Sequence, residues 1–325
     1  MSPGYEFVDL GFVGVSTFCK FPYVKDLEGK DIDVAILGAP LDQGTFNRTG
    51  QRNGPRAIRD ASQMYGTAFV NGRGVYDVEL GRYKLTDANL IDYGDVPVAP
   101  TMSQENIDMI TDNIKELLKH NILPVTLGGD HSVTYPVVRA FEDVAPLSIV
   151  HFDTHMDFAD DILGIQISHS NPIKRISELE NIDKITQIGI RGLLNPDMYI
   201  DEAKDFGAKV ITARDALKSG TDWVLKQIPE SENIYVTIDI DALDPSVAPG
   251  TGTPEPGGFN YIQMKEMLTG LPKKGKIVGF DVVEVNPLYD PAGITSLVAS
   301  RLIIDFLAAI CDKPIPNPEG KKAKN

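Results

Sequence analysis

Eight short apolar runs restrict what this chain can fold into: Val34–Ala39, Leu90–Tyr93, Leu123–Leu127, Leu147–Phe152, Ile185–Ile190, Lys209–Thr212, Ile234–Ile238 and Lys276–Val285. They are rich in β-branched residues and too short for core helices, so they read as buried parallel strands. Helix-like stretches lie between most of them. Ser103 reads as the N-cap of a helix whose apolar stripe (Asn106, Ile107, Ile110, Ile114, Leu117 and Leu118) runs toward His120. Asn195-Pro196 opens a second helix that Gly207 ends, and residues 293–311 form the longest and most apolar one. Strands alternating with helices imply a mostly parallel sheet covered on both faces. The expected fold is therefore α/β, a three-layer α/β/α arrangement around a mostly parallel eight-stranded sheet.

The second constraint is what stands at the ends of these runs. Asp153-Thr154-His155-Met156-Asp157 follows the fourth, Asp239-Ile240-Asp241 the seventh, and Gly128-Gly129-Asp130-His131-Ser132 the third. Carboxyl ends of strands are where open α/β sheets place their ligands. Side chains on an extended segment alternate faces, so Asp239 and Asp241 point the same way. Asp153, His155 and Asp157 converge if their strand continues that far. Any one of these residues reads equally well as a cap or turn residue, but the whole set does not. Carboxylates clustered at buried strand ends are costly to desolvate without compensating positive charge. Two divalent cations would neutralise Asp153, Asp157, Asp239 and Asp241. A donor set of carboxylates and imidazoles without thiolate suits manganese better than structural zinc, with nickel, cobalt and catalytic zinc left open. Two such ions lower the pKa of a shared water and make a nucleophile at neutral pH, which points to metal-assisted hydrolysis.

No linker, repeat or change of composition divides the 325 residues, so residues 1–312 are expected to form one domain, with 313–325 a flexible tail. No apolar run is read as membrane-spanning and the N-terminus lacks a basic-then-apolar leader, so no membrane association is expected. Cys19 and Cys311 form neither a metal spacing nor a disulfide framework, which fits a reducing cytoplasm. A net charge of −15 argues against nucleic acid as a partner.

The three strand-end motifs resemble, in order and spacing, the signatures of the ureohydrolases, the family of arginase, agmatinase and relatives. The Asp239 motif extends to Ala242-Leu243-Asp244-Pro245. The resemblance spans nearly the whole chain, from Gly38-Ala39-Pro40-Leu41-Asp42 and Asn53-Gly54-Pro55-Arg56-Ala57-Ile58-Arg59 to Glu284-Val285-Asn286-Pro287. It implies an arginase/deacetylase-type fold, a trimer or hexamer of identical chains, and hydrolysis of a small guanidino compound to urea and an amine. Carried over by position, it assigns one ion to His131, Asp153, Asp157 and Asp239. The second ion goes to His155, Asp153, Asp239 and Asp241. The resemblance also gives proton transfer to His169, with Asp157, and a guanidinium-binding role to Glu284, whose carboxylate can accept two parallel hydrogen bonds.

Several residues carry rival readings. Asp130 and Asp244 read as loop-shaping groups rather than ligands. His151 shares the face of Asp153 under regular alternation and reads as a packed strand histidine, with a contact to the ligands as the alternative. Glu284 has a structural alternative, an ion pair with Arg191 or Arg301. After His169, Ser170 and Asn171 depart from the glycine and threonine usual in agmatinases. The stretch after Asp157 lacks arginase's polar pattern and brings Asp160 and Asp161. If either faces the site, it favours a cationic tail, as does the block Phe18-Cys19-Lys20-Phe21-Pro22, similar to an agmatinase element. The expected reaction is therefore agmatine to putrescine and urea. Lys20, Arg48 or Arg52 could instead receive a carboxylate, making the substrate 4-guanidinobutyrate or 3-guanidinopropionate, and free guanidine is a further alternative. Two readings of other classes are a catalytically silent partner subunit and a zinc deacetylase, neither of which explains the complete ligand set.

Overall fold

The computed structural model describes residues 11–69, 74–101 and 103–312, so the expected tail at 313–325 lies outside the described residues. The described residues form ten strands: β1 (Val34–Ala39), β2 (Val75–Asp77), β3 (Arg82–Lys84), β4 (Leu90–Asp95), β5 (Leu123–Gly128), β6 (Leu147–Phe152), β7 (Ile182–Ile190), β8 (Lys209–Thr212), β9 (Asn233–Asp239) and β10 (Lys276–Val283). Each of the eight apolar runs becomes one strand of a single sheet ordered β4-β1-β5-β10-β9-β6-β7-β8. Every pairing in it is parallel. The antiparallel hairpin β2–β3 stands apart and was not expected, because its three-residue strands contain no apolar run.

Among the described residues nine helices cover the sheet: α1 (Gly54–Phe69), α2 (Ser103–Lys119), α3 (Thr134–Arg139), α4 (Pro172–Ser177), α5 (Asp197–Phe206), α6 (Ala213–Ser219), α7 (Thr221–Gln227), α8 (Tyr261–Gly270) and α9 (Ile294–Cys311). Helix α5 ends on Gly207 as expected, in the left-handed conformation that glycine adopts without strain, but Ser103 is the first residue of α2 rather than its N-cap, and Pro196 rather than Asn195 stands at the N-cap of α5. The strands divide their side chains by alternation. Val34 and Ile36 join one buried layer, together with Ile58, Met264, Leu302 and Phe306 from α1, α8 and α9. Ala35 and Leu37 join the other, with Ile110, Ile114, Val137 and Ile173 from α2, α3 and α4. Helix α9, contrary to the expectation that no run is membrane-spanning, is long and apolar enough by length and composition to cross a membrane, but most of it is buried here, against α1, α8 and the sheet.

The strand order is what assembles a site. β5, β10, β9 and β6 are neighbours at the centre of the sheet, so the segments that follow them emerge side by side at its carboxyl edge. Strands about 4.8 Å apart place their terminal side chains within reach of common ligands.

Phe306 is fully buried, with its ring 4.8 Å from that of Phe280 on β10. Replacing it with alanine removes a large packed side chain beneath the site-bearing strand. Phe306→Ala is expected to cost about 3–5 kcal/mol, read as a lowered urea midpoint with an unchanged slope.

Candidate metal centre and active-site cleft

Asp239 is the last residue of β9, the other expected ligands lie past the ends of their strands, and all are buried except His155, which is partly exposed. His131 Nδ1 lies 3.0 Å from Asp153 Oδ2, 2.9 Å from Asp157 Oδ2 and 3.2 Å from Asp239 Oδ2. His155 Nδ1 lies 3.4 Å from Asp153 Oδ1 and 3.2 Å from Asp241 Oδ2. The six residues thus form two clusters that share Asp153, one oxygen turned to each. Asp239 joins the first cluster through Oδ2, while its Oδ1 accepts the Asp241 backbone N–H at 2.8 Å.

Hydrogen bonding behind His131 fixes which of its nitrogens faces the cluster. The Thr237 hydroxyl donates to Asp281 Oδ1 at 2.6 Å, so at 2.9 Å it accepts the Nε2–H of His131. In a neutral imidazole Nδ1 then turns a lone pair toward three carboxylates, so the arrangement needs positive charge between them, either a second proton on Nδ1 or a metal ion. His131 Nδ1 and Asp241 Oδ2, both turned toward the cluster, are buried and have no hydrogen-bond partner, and buried polar atoms are rarely left so. The electrostatics agree. Burial, with Asp241 and Asp153 nearby, pushes Asp239 well above the usual carboxylate range. Burial and Asp153 raise Asp241 to about 6. Burial lowers His131 and His155, but the surrounding carboxylates outweigh it and raise both well above the ordinary imidazole value. All of these shifts express one deficit of positive charge. The donor set, the orphaned atoms and the charge balance fit two divalent ions.

Beside the cluster lies a cleft of about 290 Å³. His155, Asp157, His169, Asp239 and Glu284 form its polar floor, and Phe46, Ile162, Leu194, Pro196 and Tyr199 much of its wall. Glu284 follows β10 with a positive φ of 63°, uncommon for a non-glycine residue, and Asp157 has a φ of 49°. The backbone thereby turns both carboxylates back toward the cleft. Glu284 Oε1 accepts the His131 backbone N–H at 2.9 Å and faces His169 Nδ1 at 3.3 Å, while Oε2 accepts Gln51 Nε2–H at 2.8 Å. Burial opposes its charge, but His169, the His131 backbone N–H and Gln51 outweigh burial and hold it below the usual range, ionised. Burial likewise lowers His169, and Glu284 more than reverses this, raising it to about 9.

Asp130 accepts the backbone N–H groups of Gly44 and Ser132, and Asp244 those of Ser246, Gly257 and Gly258, so both shape loops as expected. Arg191 donates to the carbonyls of Asp241, Leu243 and Glu255, and Arg301 to Asp305, which rules out either as a partner of Glu284. Three expectations need correction. Asp160 and Asp161 do not line the cleft: Asp160 pairs with Arg175, and Asp161 accepts the Gly164 backbone N–H. Of the basic candidates for a substrate carboxylate, Arg52 pairs with Asp42 and Lys20 donates to the Val13 and Val15 carbonyls, away from the cleft. His151 is more than a packed strand residue, since its Nε2 lies 2.7 Å from Asp153 Oδ2. Sequence reasoning also missed Gln51, Gln187, Thr237 and Asp281. The last two were marked by a polar residue interrupting an apolar strand.

The arginase family matches residues 32–309 of the chain. A guanidinobutyrase from Pseudomonas aeruginosa is 34% identical over 306 residues, covering 92% of this chain and 93% of the relative. A mitochondrial agmatinase from Gallus gallus is 35% identical over 317 residues, covering 95% and 89%. Among solved structures, proclavaminate amidino hydrolase from Streptomyces clavuligerus superposes with a TM-score of 0.80 at 34% identity, covering 92% of this chain and 98% of that one.

Without ions, the folded site holds more protons than the unfolded chain, because Asp241 titrates at about 6 rather than 3.8 and His169 at about 9 rather than 6.5. The stability these raised groups contribute is present below their unfolded values and is lost as pH rises through the folded ones. A chelator should therefore lower the melting temperature, by about a few degrees, and by more at pH 8 than at pH 5.5. Equal losses at both pH values, read by differential scanning calorimetry, would contradict the charge deficit.

Proposed function

The chain belongs to the arginase family and is a guanidino hydrolase; we propose that its substrate is agmatine, split to putrescine and urea, with two divalent ions held by the six ligands. One ion would take His131, Asp153, Asp157 and Asp239, the other His155, Asp153, Asp239 and Asp241. Manganese is the metal this donor set suits best. When bound, the ions would supply an activated water at neutral pH.

The chain's own groups supply the remaining chemistry. Glu284, ionised and buried, receives the guanidinium through charge-assisted hydrogen bonds at the cleft floor. It is held for this by Gln51 and the His131 backbone N–H. A guanidinium bound there competes with His169 for Oε1, weakening the support that keeps the imidazole protonated. The His169 proton on Nδ1 then becomes available to the departing amine. Asp157, on the same floor, accepts the proton released by the attacking water.

The observation that carries the choice of agmatine is the lining of the cleft. No lysine or arginine is found among its described lining residues, and Asp157, Asp239 and Glu284 supply its carboxylates. A carboxylate tail would meet no cation inside, whereas an ammonium tail leaves the cleft toward a surface of net negative charge. A guanidino acid is favoured instead by one feature. Arg48 is exposed, follows the cleft residue Asn47, and has no ion-pair partner among the described residues, its guanidinium lying 5.1 Å from the Tyr289 ring centre.

Side-by-side kcat/KM values, read as urea released, should rank agmatine above 4-guanidinobutyrate, 3-guanidinopropionate, arginine and guanidine. A clear win for a guanidino acid, abolished by Arg48→Ala, would transfer the assignment to that class. Glu284→Gln should lower kcat/KM for every guanidino substrate alike, about ten- to a hundredfold.

His169→Ala should lower kcat by about 10²–10⁴-fold with the bound metal unchanged by elemental analysis. Undiminished turnover would remove His169 from the chemistry.

A further inference from the structure

His151 is fully buried on β6, and the roles proposed so far leave it without one. Its Nε2 lies 2.7 Å from Asp153 Oδ2, and its Nδ1 lies 3.1 Å from the side-chain nitrogen of Gln187. Gln187 is directly opposite it on β7 and is also fully buried. The orientation of that amide is fixed independently: the same nitrogen lies 2.6 Å from the Met156 carbonyl oxygen, which can only accept. Gln187 therefore donates to His151 Nδ1, and the single proton of a neutral imidazole resides on Nε2, aimed at Asp153.

Asp153 is the carboxylate shared by the two clusters, and its orientation decides whether both can form. Oδ1 accepts the His155 backbone N–H at 2.5 Å and faces the second cluster. Oδ2 faces His131 and the first. The backbone bond secures Oδ1, and His151 is what secures Oδ2. Both ring nitrogens of His151 are engaged, so it is not itself a ligand, although it lies within ligand distance of His131, Asp153 and Asp157.

We propose that His151 is a positioning residue. Locked by Gln187 as the Nε2–H tautomer, it holds the shared carboxylate of Asp153 in the orientation that lets one side chain serve two ions. The inference rests on the two-ion reading of the site and concerns metal retention, so it can be tested without a substrate. Outer hydrogen-bonding partners of this kind typically account for about 10–100-fold in metal affinity.

The test is the Mn²⁺ affinity of the wild-type chain and three variants, measured from free Mn²⁺ by electron paramagnetic resonance, with circular dichroism as the check on folding. His151→Phe keeps a ring of similar bulk without a donor, and Gln187→Leu frees the tautomer; each should weaken Mn²⁺ binding about 10–100-fold. His151→Gln can place an amide N–H near the former Nε2 and should recover most of the loss. A folded His151→Phe that binds Mn²⁺ like wild type overturns the proposal. So does a His151→Gln as weak as His151→Phe, since packing alone would then explain both. Should His151→Phe not fold, undiminished affinity in Gln187→Leu overturns it equally. A wild-type chain that takes up neither Mn²⁺, Co²⁺ nor Zn²⁺ would refute the metal centre itself, whereas equal affinities across the series would refute only the role of His151.

Discussion

Four carboxylates buried within hydrogen-bonding distance of two imidazoles are the interaction on which the rest of this structure turns. Isolated buried carboxylates either neutralise or find a counter-charge. Without cations the imidazoles must carry that charge: the Nε2–H of His131 is committed to Thr237, and the carboxylates favour a second proton on Nδ1, the atom that faces the cluster. The sheet order creates the problem by bringing the ends of β5, β9 and β6 together. Bound cations solve it and tie the same strands to one another. Stability and activity thus draw on one set of contacts, which is why chelation should be felt as loss of fold stability as well as loss of turnover.

The same economy applies around Glu284. Its carboxylate already has three partners, Gln51, the His131 backbone N–H and His169. Two of these fix its position and the third can be exchanged. The positive φ of Glu284 is the conformational cost of aiming an acid from the end of a central strand into the cleft, and the bond from its backbone N–H to the Gly129 carbonyl at 2.8 Å helps hold that turn. Because His131 and His169 touch the same carboxylate, the guanidinium site proposed at Glu284 and the metal cluster are mechanically one unit.

Much of this was legible in the sequence, for a physical reason. Strands buried on both faces must be continuous apolar runs, so β1, β4–β10 and the ligands at their ends stood out against the helices. The polar interruptions Thr237 and Asp281 were visible too, although not what they would bond. Strand order was not legible, since it depends on contacts between distant segments. The placement of Asp160 and Asp161 failed for a related reason. Where a loop carboxylate points depends on the path of the chain, and that path is set by a tight turn at Leu163-Gly164, both at positive φ, closed by paired hydrogen bonds between Ile162 and Ile165. Alternation put His151 on the ligand face correctly. Its partner Gln187 lies on a neighbouring strand, and without that pairing a packed histidine and a positioning one read alike.

The division between strand ends and loops also explains how such a fold can serve different guanidino substrates. The groups proposed to hold the ions and the guanidinium come from rigid positions: His131, Asp153, His155, Asp239 and Asp241 at strand ends, with Asp157 and Glu284 in backbone conformations the surrounding structure enforces. The cleft wall beyond that floor is formed by Phe46, Asn47, Ile162, Leu194 and Tyr199, most of which lie on connecting segments. Loops tolerate substitution far better than buried strand ends do. A floor committed to the guanidinium and a wall free to vary allow the reaction to persist while the tail it accepts changes. The identity of the tail is therefore decided by a handful of loop side chains, and in this chain those side chains present no cation to a carboxylate inside the cleft.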